Sequence, residues 1–435
     1  MSNYKENIRY HFLVFAFSPV LGLVYAFKTK SKSVIRWSIF AFTVIYGSLF
    51  HKSFLGDGAV HWEKVYKNYL YLDFSVWWDR LMAILSFSPT SYTNDDVYIH
   101  VLSYLVGTVL NVPQLFFVFV AIVYGYFYSG AVVKFLSYVN WDSNYNKFFF
   151  YAFLFLFAIW KFPLNMQTVR TWTGMWVLLY AVLSYYETKK IKYLLLALTP
   201  PLIHIGFTVM AIPVWIVLFT GFRSPRVYFI IFVLSIFFSN IIGQSSFNDT
   251  VSQTELGKSK TKAYYVDDER EEQLNKVKIE KSKTTNFYRN FERFRIQFSV
   301  VSGMVFFIYF MLRRIGFGKL EKMLFSYGLA TASMANFFTQ IFAVYNRTWY
   351  IASTFIIVLM VIFLSKNDLR RVSFSFLKVR LPLTLFCIAI FPFVLYLLST
   401  IVSYSSPYIF LLPVAHWIDP ETAGISLRQL IGFLL

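Results

Sequence analysis

The chain is divided into apolar runs that are each about as long as a bilayer is thick, and this division limits the folds open to it. A helix of about 20 residues crosses a hydrocarbon core of ~30 Å. In lipid, backbone N–H and C=O groups must bond within their own segment, so such runs predict helices. Apolar residues make up 57% of the sequence, above the roughly 45–50% of soluble domains. We therefore expect an all-α integral membrane protein, with residues 1–435 forming one polytopic domain in a lipid bilayer.

The apolar runs predict about 12 transmembrane helices. They lie at 10–27, 34–50, 114–137, 148–162, 169–186, 193–206, 207–222, 227–243, 296–312, 323–343, 349–365 and 381–404. The pair 193–206 and 207–222 is short for two spans, and Pro200, Pro201 and Pro213 interrupt it. That pair is either a hairpin of short helices or one broken helix.

Basic residues are concentrated in every second gap between the runs. If 193–222 is a hairpin, six gaps fall on one side of the membrane and hold 20 of the 41 Lys and Arg residues. The positive-inside rule makes that side cytoplasmic and places both termini outside. The net charge of +19 therefore reflects topology, and we expect no nucleic-acid partner.

Two large segments then lie outside the membrane. Residues 51–113 hold no clear span and are expected to form amphipathic or re-entrant helices. Residues 244–295 form a long polar loop with eleven basic and nine acidic side chains. At its end, aromatic residues alternate with Arg289, Arg293 and Arg295, which is typical of an amphipathic approach to the membrane.

Four polar residues at membrane edges are candidates for chemistry, and all four are assigned to the external side. Asp57 lies in a Gly-Asp-Gly turn, Arg170 opens a span, His204 lies at the turn of the short hairpin, and Arg347 lies in a short loop. Each has a plainer interpretation as well. Asp57 fits a simple turn, the arginines can extend to lipid phosphates, and a histidine among apolar residues is commonly a hydrogen-bonded packing residue.

Most familiar catalytic signatures are absent from the sequence. It contains no Gly-rich phosphate loop ending in Lys-Ser/Thr, no His-Glu-x-x-His motif and no nucleophile-elbow motif. The six histidines are scattered, which argues against a transition-metal site. We therefore expect no metal and no cofactor.

The order of the candidate motifs resembles the EpsG-like, Wzy-type polysaccharide polymerases of bacterial membranes. The elements that carry the resemblance are Gly56-Asp57 with Tyr66, Arg170, the Lys189-Lys190-x-Lys192 turn, His204, and Asn346-Arg347 with Tyr350. The resemblance covers roughly residues 10–365. The sequence departs from the family in the nine-residue distance between Asp57 and Tyr66, in the length of the 244–295 loop, and in the segment 417–435.

The resemblance implies a membrane glycosyltransferase with a GT-C-like fold. Such an enzyme joins oligosaccharide repeat units carried on undecaprenyl pyrophosphate into O-antigen, capsule or exopolysaccharide. It would lie in the bacterial cytoplasmic (inner) membrane, with its active site facing the periplasm or exterior. Its expected partners are the lipid-linked oligosaccharides, while a chain-length regulator is left open.

The resemblance also implies roles for individual side chains. His204 is the first choice for the general base that takes a proton from the acceptor hydroxyl, and Asp57 is the second. Cations could stabilise the pyrophosphate leaving group as its charge develops; they are Arg170 and Arg347, with Arg293 and Arg295 in reserve. Aromatic side chains could stack on sugars; they are Trp62, Tyr66 and Tyr69.

Three other functions stay open from the sequence. A flippase or transporter for lipid-linked oligosaccharides should carry charged residues in the middle of several spans, and most spans here have none. A glycan ligase or acyltransferase of the same pathway is a second alternative. A membrane acyltransferase should pair a histidine with a carboxylate or an asparagine, and His204 has neither in its own segment. A scaffold of a polysaccharide assembly complex is the third.

Overall fold

The computed structural model describes most of the chain, with several gaps. The described residues are 2–49, 57–86, 96–142, 146–220, 225–238, 298, 300–309, 311, 317–339, 342–367, 376–414 and 426–434. The predicted loop at 244–295, with Arg293 and Arg295, lies outside them. The side chain of Asp57 is also outside the described part of the structure.

The described residues are helical, and no strand occurs among them. The first ten helices are α1 Ser2–Phe17, α2 Pro19–Lys28, α3 Lys32–Ser48, α4 Asp57–Asn68, α5 Phe74–Leu85, α6 Val97–Tyr104, α7 Phe116–Leu136, α8 Lys147–Trp160, α9 Thr171–Thr188 and α10 Ile191–Ala197. The others are α11 Pro200–Ile203, α12 Phe207–Met210, α13 Ile212–Thr220, α14 Pro225–Phe237, α15 Val300–Tyr309, α16 Lys319–Phe337, α17 Phe342–Lys366, α18 Phe376–Tyr404 and α19 Leu427–Leu434.

Four of these helical segments are long and apolar enough to cross a membrane: Pro113–Leu136, Lys147–Thr168, Val344–Lys366 and Leu383–Tyr404. Several shorter apolar helices accompany them in the described part of the chain. The described part of the chain is thus all-α, as expected for a membrane protein, with four helices that could cross a bilayer. The count of twelve spans and the GT-C-like architecture stay predictions.

Helix α17 forms the centre of the bundle. Its most apolar stretch is almost completely enclosed by other helices, whereas α18 is largely exposed. Small residues let α16 approach α17 closely, because a Cβ atom on Gly328 would lie 2.5 Å from Ile356 Cδ1. Gly47 of α3 meets Ala121 of α7 in the same way. Close approach at small residues is a common means of packing helices in membranes.

Several basic gaps meet at one end of the bundle. Lys134, at the end of α7, forms an ion pair with Glu187 near the end of α9. The backbone N–H of Asn140 donates to Ser365 Oγ, near the end of α17, at 3.1 Å. Lys366 pairs with Glu321, at the start of α16, at 3.1 Å. We call this the basic end. The grouping agrees with the expected division of charge, while its assignment to the cytoplasm stays a prediction.

The segment 193–222 doubles back on itself. Trp215 Nε1, in α13, donates to the carbonyl of Ala197, at the end of α10, at 2.7 Å. A single broken helix could not bring together two residues eighteen positions apart, because a helix rises 1.5 Å per residue. The segment is therefore a hairpin of four short helices, with His204 at its apex.

The segment 51–113 contains the helices α4, α5 and α6. Helix α5 exposes Phe74, Trp78 and Met82 on one face, which is the spacing of an apolar helix stripe. Helix α6 packs against α11 of the hairpin. This contact brings residue 96, just before α6, to the hairpin apex.

Candidate functional site

Four polar side chains from four distant parts of the sequence form one hydrogen-bonded chain. Arg170 Nη1 donates to Asp96 Oδ2 at 2.7 Å, and His204 Nδ1 lies 3.0 Å from the same oxygen. On the other side of the imidazole, Arg347 Nη1 lies 2.9 Å from His204 Nε2. We call these four residues the Asp96 cluster. The structure thus brings together Arg170, His204 and Arg347, which the sequence assigned to one side of the membrane, while that side and their chemical roles stay predictions.

Asp96 is the member of the cluster that sequence reasoning missed. It precedes α6 at the position where an aspartate commonly caps a helix, yet its side chain makes no capping hydrogen bond. Instead, its second oxygen accepts the backbone N–H of Ile205 at 3.0 Å. The side chain is only 2% exposed. It also supplies the carboxylate partner that His204 lacks in its own segment, which corrects the argument against an acyltransferase.

A strained turn places Arg170. Val169 has φ 55° and ψ −58°, a conformation that β-branched residues rarely adopt. The N–H of Arg170 bonds back to the carbonyl of Thr168, so the three residues form a γ-turn of the strained kind. Thr173 Oγ1 donates to the Val169 carbonyl. The turn directs the guanidinium toward Asp96 as the chain enters α9.

The hydrogen bonds of His204 determine its tautomer. An arginine can only donate, so Nε2 must present its lone pair to Arg347. The proton of the neutral ring then lies on Nδ1 and is donated to Asp96. The imidazole side chain is only 7% exposed. Because both ring nitrogens are hydrogen-bonded, one to the Asp96 carboxylate and one to Arg347, the ring is held in one orientation.

Charge and burial set the protonation of the cluster. Burial alone would raise the pKa of the Asp96 carboxyl, but His204, Arg170 and the Ile205 amide together hold that pKa well below its usual value. Burial lowers the pKa of His204, and the two arginines lower it further against the opposing influence of Asp96. The cluster therefore contains an ionised carboxylate and a neutral imidazole. Two guanidinium groups leave it with one surplus positive charge.

Arg347 lies in a helix and not in the short loop that the sequence predicted. Helix α17 begins at Phe342, so Arg347 falls in its second turn, where the side chain is half-buried. The apolar run begins later than the helix because Asn346 and Arg347 are polar. A helical position holds the guanidinium more firmly than a loop would.

The start of α4 lies beside the turn that carries Arg170. A Cβ atom on Gly58 would lie 3.5 Å from the carbonyl oxygen of Gln167. The backbone next to Asp57 is therefore close to the γ-turn, although the role of Asp57 as a second base stays a prediction. Trp62, on the same helix, is half-buried and stacks on Phe117, with centroids 6.1 Å apart.

Tyr69 is a packing residue in this structure, which corrects its expected role in sugar binding. Its side chain is almost fully buried, and its hydroxyl is hydrogen-bonded to His100 Nδ1 at 2.7 Å. The ring of His100 in turn stacks on Trp77. A ring enclosed in this way has no face for a sugar. Tyr66 is half-buried beside Trp62, and its sugar-binding role stays a prediction.

A buried lysine next to the cluster was also missed. Lys161 has no solvent exposure, and its Nζ lies 5.0–5.2 Å from the ring centroids of Trp160, Trp172 and Tyr350. It also donates to the Tyr350 carbonyl at 3.4 Å. Trp172 and Tyr350 follow Arg170 and Arg347 by two and three residues. The aromatic cage therefore joins the starts of the two helices that carry the arginines.

Gly206 leaves the space that the His204 ring occupies. A Cβ atom there would lie 3.2 Å from His204 Nε2 and 3.1 Å from Met210 Cε. We expect Gly206→Ala to displace the imidazole and to disturb its hydrogen bonds to Asp96 and Arg347, which the NMR chemical shifts of the ring would report. Gly432→Ala is the matched control, because no atom lies within 4 Å of its added Cβ. Ring shifts that stay as small in Gly206→Ala as in Gly432→Ala would show that the site accommodates the added methyl group.

Within the described residues, no group of three or more His, Cys, Asp or Glu side chains is placed to hold a metal ion. The cluster offers one carboxylate and one imidazole beside two cations, a donor set that suits an anion better. Comparison of the chain with protein-family models, with curated proteins and with solved structures gives no match.

Proposed function

We propose that the protein is a polymerase of lipid-linked oligosaccharides and that the Asp96 cluster is its active site. One observation carries the proposal: an imidazole, hydrogen-bonded to a buried carboxylate, lies directly against an arginine, with a second arginine on the same carboxylate. A base and an anion site are thus combined at one end of an apolar helical bundle. The resemblance to the EpsG-like, Wzy-type family supports the same assignment.

The two arginines suit a diphosphate leaving group. A guanidinium presents its N–H donors in a fork that matches phosphate oxygens. Arg170 is 25% exposed, and Arg347 is half-buried, so both can reach a bound headgroup. Cationic groups placed where negative charge develops stabilise the transition state. No nucleotide is needed, because the donor sugar is activated by its lipid diphosphate.

The base becomes available when Arg347 turns to the diphosphate. In the free protein the Arg347 guanidinium occupies the lone pair of His204 Nε2. Binding of the donor draws the guanidinium to the phosphate oxygens and frees Nε2. The acceptor hydroxyl then attacks the anomeric carbon of the donor while Nε2 takes its proton. The bond from that carbon to the phosphate oxygen breaks, and lipid diphosphate leaves.

Polymer length in cells tests the proposal. The variants Arg170→Ala, His204→Ala and Arg347→Ala are introduced one at a time into cells that make the polymer. We expect short or single-unit chains on the lipid in all three, with the protein still in the membrane. Full-length polymer in every variant would refute the assignment of the cluster. Accumulation of untransported lipid-linked units on the cytoplasmic side would instead favour a flippase.

The His204–Asp96 pair specifically favours a second candidate, a glycan ligase or acyltransferase of the same pathway. Such an enzyme also needs a histidine with a carboxylate partner. The polymerase and the acyltransferase differ in their need for cationic side chains. An acyl thioester releases no diphosphate from its reacting carbon, so only the polymerase needs arginines at the leaving group. Loss of acyl groups from the glycan at normal polymer length would identify the acyltransferase. Normal length of the lipid-linked polymer with no transfer to its final acceptor would identify the ligase.

A further inference from the structure

A second feature of the bundle is an apolar groove, which none of the residues of the Asp96 cluster lines. Its volume is about 690 Å³, and it is formed by α8, α15, α17 and α18. None of its lining residues is charged, and nearly all are apolar. Leu385 and Ile388, on the outward side of α18, are among its most exposed lining residues. The groove therefore opens to the outside of the bundle beside α18, the most exposed of the four long helices.

The groove begins less than two helical turns from the cluster along α17. On α17 the lining begins at Ser353, six residues after Arg347, and extends to Met360. At 1.5 Å per residue, Ser353 lies about 9 Å from Arg347 along the helix axis, and the lining continues for about 10 Å beyond it. On α8 the lining ends at Leu156, five residues before Lys161.

Positive charge is concentrated at the cluster end of the groove. Lys161 contacts the Tyr350 ring on α17. Tyr350 lies about one turn from Arg347 on one side and about one turn from Ser353, the first lining residue of the groove, on the other. The groove itself offers only hydrocarbon and aromatic contacts, including the Phe386 ring stacked between Phe153 and Phe298. A molecule that matches both parts has a long apolar chain and an anionic head.

We propose that the groove holds the isoprenoid chain of a polyprenyl diphosphate whose head binds at Arg347 and Arg170. This inference rests on the proposed function for the identity of the head, and it adds the location of the chain. Burying apolar chain surface in the groove contributes binding energy at roughly 25 cal/mol per Å². The bound isoprenoid chain then holds the diphosphate at one position along α17, so that the anomeric carbon of the donor sugar lies next to His204.

Photo-crosslinking tests the groove without requiring catalysis. The full-length protein is placed in phosphatidylcholine nanodiscs with a sugar-free polyprenyl diphosphate that carries a diazirine on its chain. We expect crosslinks in peptides of α8, α17 and α18 that line the groove. Excess unlabelled polyprenyl diphosphate should remove them. Crosslinks confined to other helices, or their complete removal by extra phosphatidylcholine, would overturn the proposal.

Two variants fill the groove and one provides a control. Ala389→Phe adds bulk inside the groove, and Ile388→Trp adds it at the mouth, where the side chain is 63% exposed and extra bulk does not disturb the core. Thr384→Phe adds a ring at an exposed position of α18 that does not line the groove. We expect at least a fivefold loss of crosslinking in the first two and none in the third. Wild-type crosslinking in Ile388→Trp would overturn the proposal.

The outcomes separate this inference from the proposed function. Groove crosslinks without polymer formation by the wild-type protein would leave the lipid site standing and refute the polymerase. Polymer formation without groove crosslinks would refute the lipid site alone.

Discussion

Asp96→Asn is expected to reduce polymer formation by about 10²–10⁴-fold, the range that general base catalysis commonly contributes. The carboxylate orients His204, neutralises Arg170 and accepts the Ile205 N–H. Asparagine keeps the size of the side chain but has only one acceptor oxygen and no charge. The ring of His204 then loses the partner that fixes its tautomer, and Arg170 loses its counter-ion. The measurement is the initial rate of chain extension in proteoliposomes.

The matched control for this variant lies at the basic end. Glu321 is another buried carboxylate, 6% exposed, and it pairs with Lys366 at 3.1 Å. Glu321→Gln should therefore cost comparable stability, because it also removes one partner of a buried ion pair. We expect it to leave the extension rate of the folded protein within about threefold of wild type. Equal losses in both variants would reduce Asp96 to a structural residue.

Arg347→Gln is expected to lower the rate of chain extension by about 10²–10³-fold, the usual cost of removing one transition-state donor. The charge that stabilises the departing diphosphate is lost with the guanidinium. Arg36→Gln is the control, because Arg36 is also half-buried and lies over the Tyr126 ring, 5.1 Å from its centroid, on α3. Its removal should leave the rate nearly unchanged. A similar loss in both variants would contradict a specific role for Arg347.

Arg347→Gln should also change how the rate of chain extension depends on pH. A histidine acts as a general base only while its ring is neutral, so the rate of chain extension falls as the pH drops through the pKa of His204. In the wild-type protein that pKa is lowered from its ordinary value of 6.5, and activity should persist into mildly acidic solution. Arg347 is one of the groups that lower it, so Arg347→Gln should move the acidic limb to higher pH. Asp96→Asn should move it to lower pH. An unchanged limb in both variants would exclude His204 as the titrating base.

The helical fold follows from the sequence because apolar runs of bilayer length leave the backbone few alternatives. The sequence of 193–222 permits both a hairpin and a broken helix, since its three prolines fit either a turn or a break. The Trp215–Ala197 hydrogen bond decides it, and a contact between distant side chains has no local sequence signal. The start of α17 was placed too late because polar residues shorten an apolar run without ending the helix.

Most of the cluster could be predicted, whereas its carboxylate could not. Arg170, His204 and Arg347 each interrupt apolar surroundings, which makes them visible in one sequence. Asp96 follows Asn94 and Asp95 in a polar stretch of the sequence, where an aspartate needs no explanation beyond helix capping. The γ-turn at Val169 was equally hidden, because a β-branched residue predicts negative φ. The contact of α6 with α11 brings Asp96 to the hairpin apex, and a contact between segments so far apart in the sequence has no local pattern.

Reconstitution with one defined substrate tests the central claim most directly. The purified protein in proteoliposomes receives a single oligosaccharide repeat unit linked to undecaprenyl diphosphate, with no other protein and no nucleotide. The account predicts a ladder of longer lipid-linked chains, with one undecaprenyl diphosphate released for each unit added, and no ladder with His204→Gln. An unchanged substrate with the wild-type protein, or an undiminished ladder with His204→Gln, would contradict it.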